Sequence, residues 1–143
     1  MEHGQIKLSI ASALDQVALI GTTIRALCHQ QGCDAQSAYF MELCVVEAVN
    51  NCILHAYQNV PGHTVDVIIE LAADRMTFHV CDTGRTIADF AEKCARAPNE
   101  FDPTDPLTIP ETGRGLFIMR ELMDTLAYER IGAQNVLTMS RHV

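Results

Sequence analysis

From Asp34, a residue suited to capping a helix start, apolar residues recur at helical spacing to about Tyr57. No other stretch of the chain constrains the fold as much. Leu43, Cys44, Val46, Val49, Ile53 and Leu54 make the run apolar enough that the rest of the chain has to cover it. Glu47, Asn51 and His55 interrupt it at intervals of four, which aligns them as one polar stripe. Burying an unpaired carboxylate or carboxamide costs about 1 to 3 kcal/mol, so the stripe calls for something to bind.

The remaining elements are shorter. Ile6 to Ile10 alternates like a strand with one buried face. Ser12 and Asp15 form a candidate capping pair for a helix carrying Leu14, Val17, Ala18, Gly21, Ile24 and Cys28 at core spacing, with Gly32 as its stop. Beyond Pro61-Gly62, the β-branched segments Thr64 to Leu71 and Met76 to Cys81 read as a hairpin turning through Ala73-Asp74-Arg75. A short helix is expected over Ile87 to Ala95. Leu116, Met119, Leu122, Met123 and Leu126 give helical spacing after Gly115, and Leu126 to Arg130 with Val136 to Ser140 bracket Gly132-Ala-Gln-Asn135 as a second hairpin.

Between them lies Ala97 to Thr112, with Pro98, Pro103, Pro106 and Pro110 among Glu100, Asp102, Asp105 and Glu111. No regular element accommodates that spacing of prolines. A connection of this length within one domain is usually either disordered or a functional lid. At 143 residues the chain is expected to form a single domain over residues 1–143.

The 18 acidic and 10 basic residues give a formal charge of -8, which argues against nonspecific nucleic-acid binding and against anionic membranes. No apolar run is expected to span a membrane, the first residues lack the features of a signal peptide, and a cytoplasmic location follows as an expectation. Cys28, Cys33, Cys44, Cys52, Cys81 and Cys94 contain no Cys-x-x-Cys pair and read mostly as small buried thiols.

Three short motifs carry chemistry. Asn51 offers an amide oxygen of the kind magnesium prefers, and Glu47 could take a proton from an attacking hydroxyl; His55 reads as a supporting residue. Asp82-Thr-Gly84 falls at a strand end, where Asp82 could accept a hydrogen bond from an exocyclic amine such as adenine's and Gly84 would permit a close backbone approach. Gly113-Arg114-Gly115 precedes a helix, a setting in which backbone amides and the helix start favour a phosphate. Arg114 and Arg120 are candidates to touch phosphate or a partner. Each motif alone is commonplace, as a polar helix face or a plain turn. Lys7 and Lys93 are the only lysines and neither follows a glycine-rich run, so no Walker-type loop is present.

In order and context the motifs resemble the N, G1 and G2 boxes of the GHKL (Bergerat-fold) ATPases: Glu47-Ala-Val-x-Asn51 with His55-Ala-Tyr57, Asp82-x-Gly84, and Gly113-x-Gly115-Leu-Phe-Ile-Met. More narrowly the chain is similar to the bacterial anti-sigma factor serine/threonine kinases of the RsbW/SpoIIAB type. The resemblance implies an α/β two-layer sandwich with a mixed, mostly antiparallel sheet covered on one face by helices, and ATP held with Mg2+ between the N-box helix and a lid at about 97–113. It implies Glu47 as catalytic base, Asn51 as magnesium ligand, Asp82 as the adenine-binding carboxylate, and Gly84, Gly113, Arg114 and Gly115 in the nucleotide loops. It further implies a homodimer that sequesters a sigma factor and phosphorylates a STAS-domain anti-anti-sigma protein. Two departures stand out: Arg85-Thr86 follows Gly84 where many relatives have another glycine, and Glu111-Thr112 stands where related kinases can carry a basic lid residue. The second leaves open an alternative, a nucleotide-gated binding switch with little or no phosphotransfer.

Overall fold

The computed structural model describes residues 3–95 and 115–143. Five strands, β1 (His3–Ala11), β2 (Thr64–Ala72), β3 (Arg75–Asp82), β4 (Thr125–Ile131) and β5 (Gln134–His142), form one sheet in the order β1-β2-β3-β5-β4. Every pairing in it is antiparallel, so the expected mixed, mostly antiparallel sheet narrows to an antiparallel one among the described residues. The second hairpin extends the sheet as the sequence suggests, with β5 rather than β4 pairing to β3. That order places both chain-distant strand ends, Asp82 and Asn135, directly opposite one another.

Alternation decides which face is covered. Val65, Val67, Ile69 and Leu71 of β2, Met76, Phe78 and Val80 of β3, and Leu137 and Met139 of β5 are buried at every second position. They form one core with the helices α1 (Val17–Gln30), α2 (Ala35–Asn51) and α4 (Gly115–Leu122). The result is the expected two-layer α/β sandwich. Burial of a large apolar side chain contributes roughly 1.5 to 3 kcal/mol, which makes this interface the main source of stability.

The α1 helix buries Val17, Gly21, Ile24 and Cys28 of the expected stripe, with Ile20 added; Ala18 is exposed, and Leu14, also exposed, falls in the turn before the helix. Gly21 lets it lie close to α2: a β-carbon there would stand 3.3 Å from both Glu42 Oε1 and Val46 Cγ2. The predicted Ser12–Asp15 cap is not made. A short 3-10 turn, Leu14–Gln16, leads into α1 without a side-chain cap, and Ser12 Oγ instead donates to the Val60 carbonyl at 3.1 Å and accepts from the His63 amide at 3.1 Å. Ser12 ties β1 to the loop before β2, a partner too distant in sequence for a local pattern to reveal.

Asp34 caps α2 as expected, its Oδ1 accepting from the Ser37 amide at 2.7 Å. The helical path reaches Tyr57, but its last stretch, Cys52–Ala56, is a π-helical turn rather than α-helix. Gln58 and Asn59 then take positive φ values of 54° and 58°, and the chain turns towards β2. Ala35–Ala56 is also long and apolar enough, by length and composition alone, to cross a membrane, contrary to the expectation that no run would be. Its Phe40, Met41, Cys44, Val45, Ala48 and Val49 belong to the core, which accounts for that composition.

The α3 helix (Phe90–Ala95) begins three residues later than predicted, after Asp89 at φ 55°. Five of the six cysteines are buried, Cys33 is half-buried, and all are free. The lid segment predicted at about 97–113 lies outside the described residues, as do Gly113 and Arg114.

Candidate functional site

The end of α2, the end of β3 and the start of α4 meet around a cavity of about 480 Å³. Its wall includes Asn51, Cys52 and His55 from the α2 extension, Asp82 from β3, Lys93 from α3 and Gly115 from α4. Val80, Leu137 and Tyr128, aligned across β3, β5 and β4, supply an apolar floor. A concave, mostly apolar site with a few polar groups is suited to a small organic ligand.

Glu47 and Asn51 share one helix face, as their spacing requires. A β-carbon on Gly115 would stand 3.1 Å from Glu47 Oε2 and 3.2 Å from Asn51 Nδ2, so α4 approaches the stripe at a distance that favours glycine. Glu47 therefore sits beside Asn51 without belonging to the cavity wall itself. Burial raises its carboxyl above the ordinary glutamate range. This makes it a better proton acceptor near neutral pH than an exposed glutamate. His55 is exposed on the cavity rim.

Asp82 is 7% exposed and held from several sides. Its Oδ1 accepts from the Gly84 amide at 2.9 Å and from Asn135 Nδ2 at 2.8 Å, while the Cys52 thiol donates to Oδ2 at 3.3 Å. Burial, followed by the nearby Asp82, pushes the Cys52 thiol well above its usual range. Cys52 is consequently held as a thiol, a donor, and not as a nucleophilic thiolate.

Gly84 does permit a close approach, but to protein backbone. A β-carbon at this position would lie 2.4 Å from the Ala56 carbonyl oxygen, and the Arg85 amide donates to that same oxygen at 2.9 Å. The strand-end loop is thereby fastened to the π-helical turn. Gly84 is absent from the cavity wall and contributes by positioning the loop.

Several residues at the site lie outside the three motifs. Asn135, 1% exposed, reads in the sequence as part of a turn, although its place opposite Asp82 follows once the hairpin is centred on Gly132-Ala133. Tyr128 OH accepts from the Ile87 amide at 2.9 Å and its ring stacks on Phe90 at 5.1 Å, closing the cavity beside α3. Lys93 reaches the wall without any glycine-rich motif to announce it. Among the described residues there is no group of three or more His, Cys, Asp or Glu side chains able to hold a metal. A metal at Asn51 would therefore depend on ligand oxygens and water for the rest of its shell.

Comparison with known proteins gives the family. The chain is 28% identical to the serine-protein kinase RsbW of a Bacillus cereus strain over 123 residues, 85% of this chain and 75% of the relative. It is 29% identical to the serine/threonine-protein kinase BtrW of Bordetella bronchiseptica over 119 residues, 76% of this chain and 72% of the relative. The family described as "Histidine kinase-like ATPase domain" matches residues 10–141, from the end of β1 almost to the end of β5. With the cavity enclosed by that matched stretch and the RsbW-type kinases similar along most of it, this chain belongs to the histidine kinase-like ATPase domain family.

Proposed function

We propose that this protein is a serine/threonine-protein kinase that uses ATP with Mg2+, sequesters a sigma factor or similar regulator, and phosphorylates a STAS-domain anti-anti-sigma protein in a partner-switching pathway. The observation that carries this reading is the convergence of Glu47, Asn51 and the start of α4 near one part of a cavity that also presents Asp82. The residues fit such a ligand. Asp82 offers an acceptor to an exocyclic amine, the row Val80, Leu137 and Tyr128 offers a surface for a base, and Asn51 offers an oxygen ligand to a hard cation.

Bound magnesium would supply neutralisation of phosphate charge during phosphoryl transfer. Glu47 would accept the proton of the substrate hydroxyl, a role its raised affinity for protons suits. Gly113, Arg114 and Gly115 would contact phosphate, with residues 97–113 acting as a lid in a single domain. The names of the relatives, a serine-protein kinase and a serine/threonine-protein kinase, support a protein substrate, and a cytoplasmic homodimer is the assembly that the family resemblance implies.

Transfer of radiolabel from ATP to a STAS-domain antagonist tests the proposal. The wild-type protein is expected to label a serine or threonine, and Glu47→Ala to slow transfer on the order of 10²- to 10⁴-fold. Labelling at an undiminished rate by Glu47→Ala would remove the assignment of the base. Glu111-Thr112, in place of a basic lid residue, favours one other reading, a nucleotide-gated binding switch. In that case nucleotide-dependent partner binding would be found without transfer by the wild-type protein.

A further inference from the structure

We propose that Asn135 is a positioning residue for base selection: braced by Arg130, it turns one oxygen of Asp82 away from the cavity and leaves the other to read an amino group. The inference rests on the proposed nucleotide function and adds a residue that none of the three motifs contains.

Asp82, Asn135 and Arg130 occupy one row across β3, β5 and β4, each directly opposite the next. Within it the Asn135 carboxamide has one satisfactory orientation. Its Nδ2 faces acceptors only: Asp82 Oδ1 at 2.8 Å, the Gly84 carbonyl at 3.0 Å and the Arg85 carbonyl at 3.3 Å. Its Oδ1 faces donors: Thr86 Oγ1 at 3.0 Å and Arg130 Nη1 at 3.0 Å. Rotating the amide by half a turn would set its oxygen against a carboxylate and two carbonyls, and its N–H groups against a guanidinium. At a site 1% exposed, water would not relieve those clashes.

The consequence appears at Asp82. Asn135 and the Gly84 amide both donate to Oδ1, whereas the cavity-side Cys52 thiol is the donor to Oδ2. A thiol is a weak donor and leaves Oδ2 with acceptor capacity for the ligand. A purine with an amino group at its 6-position can donate to that oxygen. A 6-oxo purine would bring a carbonyl oxygen against it, a mismatch between two acceptors. Arg130 also donates to the Gly84 carbonyl at 3.3 Å and to Thr86 Oγ1 at 3.0 Å, so the same brace fixes the loop that supplies the second donor.

The test compares ADP with inosine diphosphate, which differ at the purine 6-position, by titrating the full chain in the presence of Mg2+. Wild type is expected to prefer ADP by roughly tenfold or more, the scale of one mismatched polar contact. Asn135→Leu keeps the branched shape and the number of heavy atoms but cannot donate, and should bring the ratio of the two affinities close to one. Arg130→Met, at an exposed side chain outside the cavity wall, should lower that ratio in the same direction by a smaller factor. It also serves if Asn135→Leu fails to fold. A role in stability alone would weaken both nucleotides equally and preserve the ratio, and a wild-type ratio in Asn135→Leu, or in Arg130→Met should that be the variant that folds, overturns the proposal. Absence of any ADP preference in the wild type, with Asp82→Asn unchanged, would instead overturn the underlying base-reading role and the proposal with it.

Discussion

At Glu47 stability and the proposed proton chemistry pull in opposite directions. Burial raises its carboxyl above the ordinary value, meaning that folding favours its protonated form. The stability associated with that preference is fully present below the unfolded value, about pH 4.3, and is lost as pH rises through the higher folded value. At neutral pH the folded protein therefore bears the cost of a partly desolvated charge. Glu47→Gln removes it. In urea titrations the variant is expected to be more stable than wild type near pH 7.5, with the advantage shrinking towards pH 4, while phosphotransfer falls. A constant stability difference across that range would show that the carboxylate's charge is not the cause. Thiols follow the same logic without a functional gain: burial pushes Cys28 up to about 12, so it should be slow to react with alkylating agents in the native state.

At the scale of elements, the join between the π-helical turn and the end of β3 organises the site. The turn brings the Ala56 carbonyl to the strand-end loop, and only the missing side chain of Gly84 lets the two backbones meet. Gly84→Ala would place a β-carbon where the Ala56 oxygen, 2.4 Å away, already sits. Backbone atoms cannot move aside as the tip of a side chain can. The substitution is expected to cost roughly 1 to 3 kcal/mol, read from urea midpoints, and to weaken nucleotide binding because the loop carries the Gly84 donor to Asp82. Stability and affinity both at wild-type levels would show that the contact is readily relieved. What sequence could reveal follows the same division. The Asp34 cap, the alternating strands and the stripe at Glu47 and Asn51 are local patterns, and they were legible. Ser12, Gly84 and Asn135 act through Val60, Ala56 and Asp82, partners brought close by the fold, so their roles could not be read from neighbouring residues.

Across the whole molecule, the candidate site joins parts of the chain that only the folded sheet and its helices bring together. Asn51 comes from α2, Asp82 from β3, Gly115 from α4 and Tyr128 from β4, all lining one cavity. An unfolded chain holds no such arrangement, and a ligand recognised by it should bind the native state alone. Linkage then requires that the ligand stabilise the protein by RT ln(1 + [L]/Kd), about 2.7 kcal/mol when it is present at a hundred times Kd. Mg-ADP is accordingly expected to raise the thermal midpoint by several degrees, with the increment growing as the logarithm of its concentration. Asp82→Ala will lower the midpoint by itself, since it removes one of the Asn135 amide's three acceptors and leaves the Gly84 amide without its side-chain acceptor. The decisive quantity is the ligand-induced increment. It should shrink sharply in Asp82→Ala and persist in Arg25→Ala, which breaks a surface ion pair to Glu42 between α1 and α2, away from the cavity wall. An equal increment in all three proteins would mean that ADP stabilises the fold from somewhere other than this cavity.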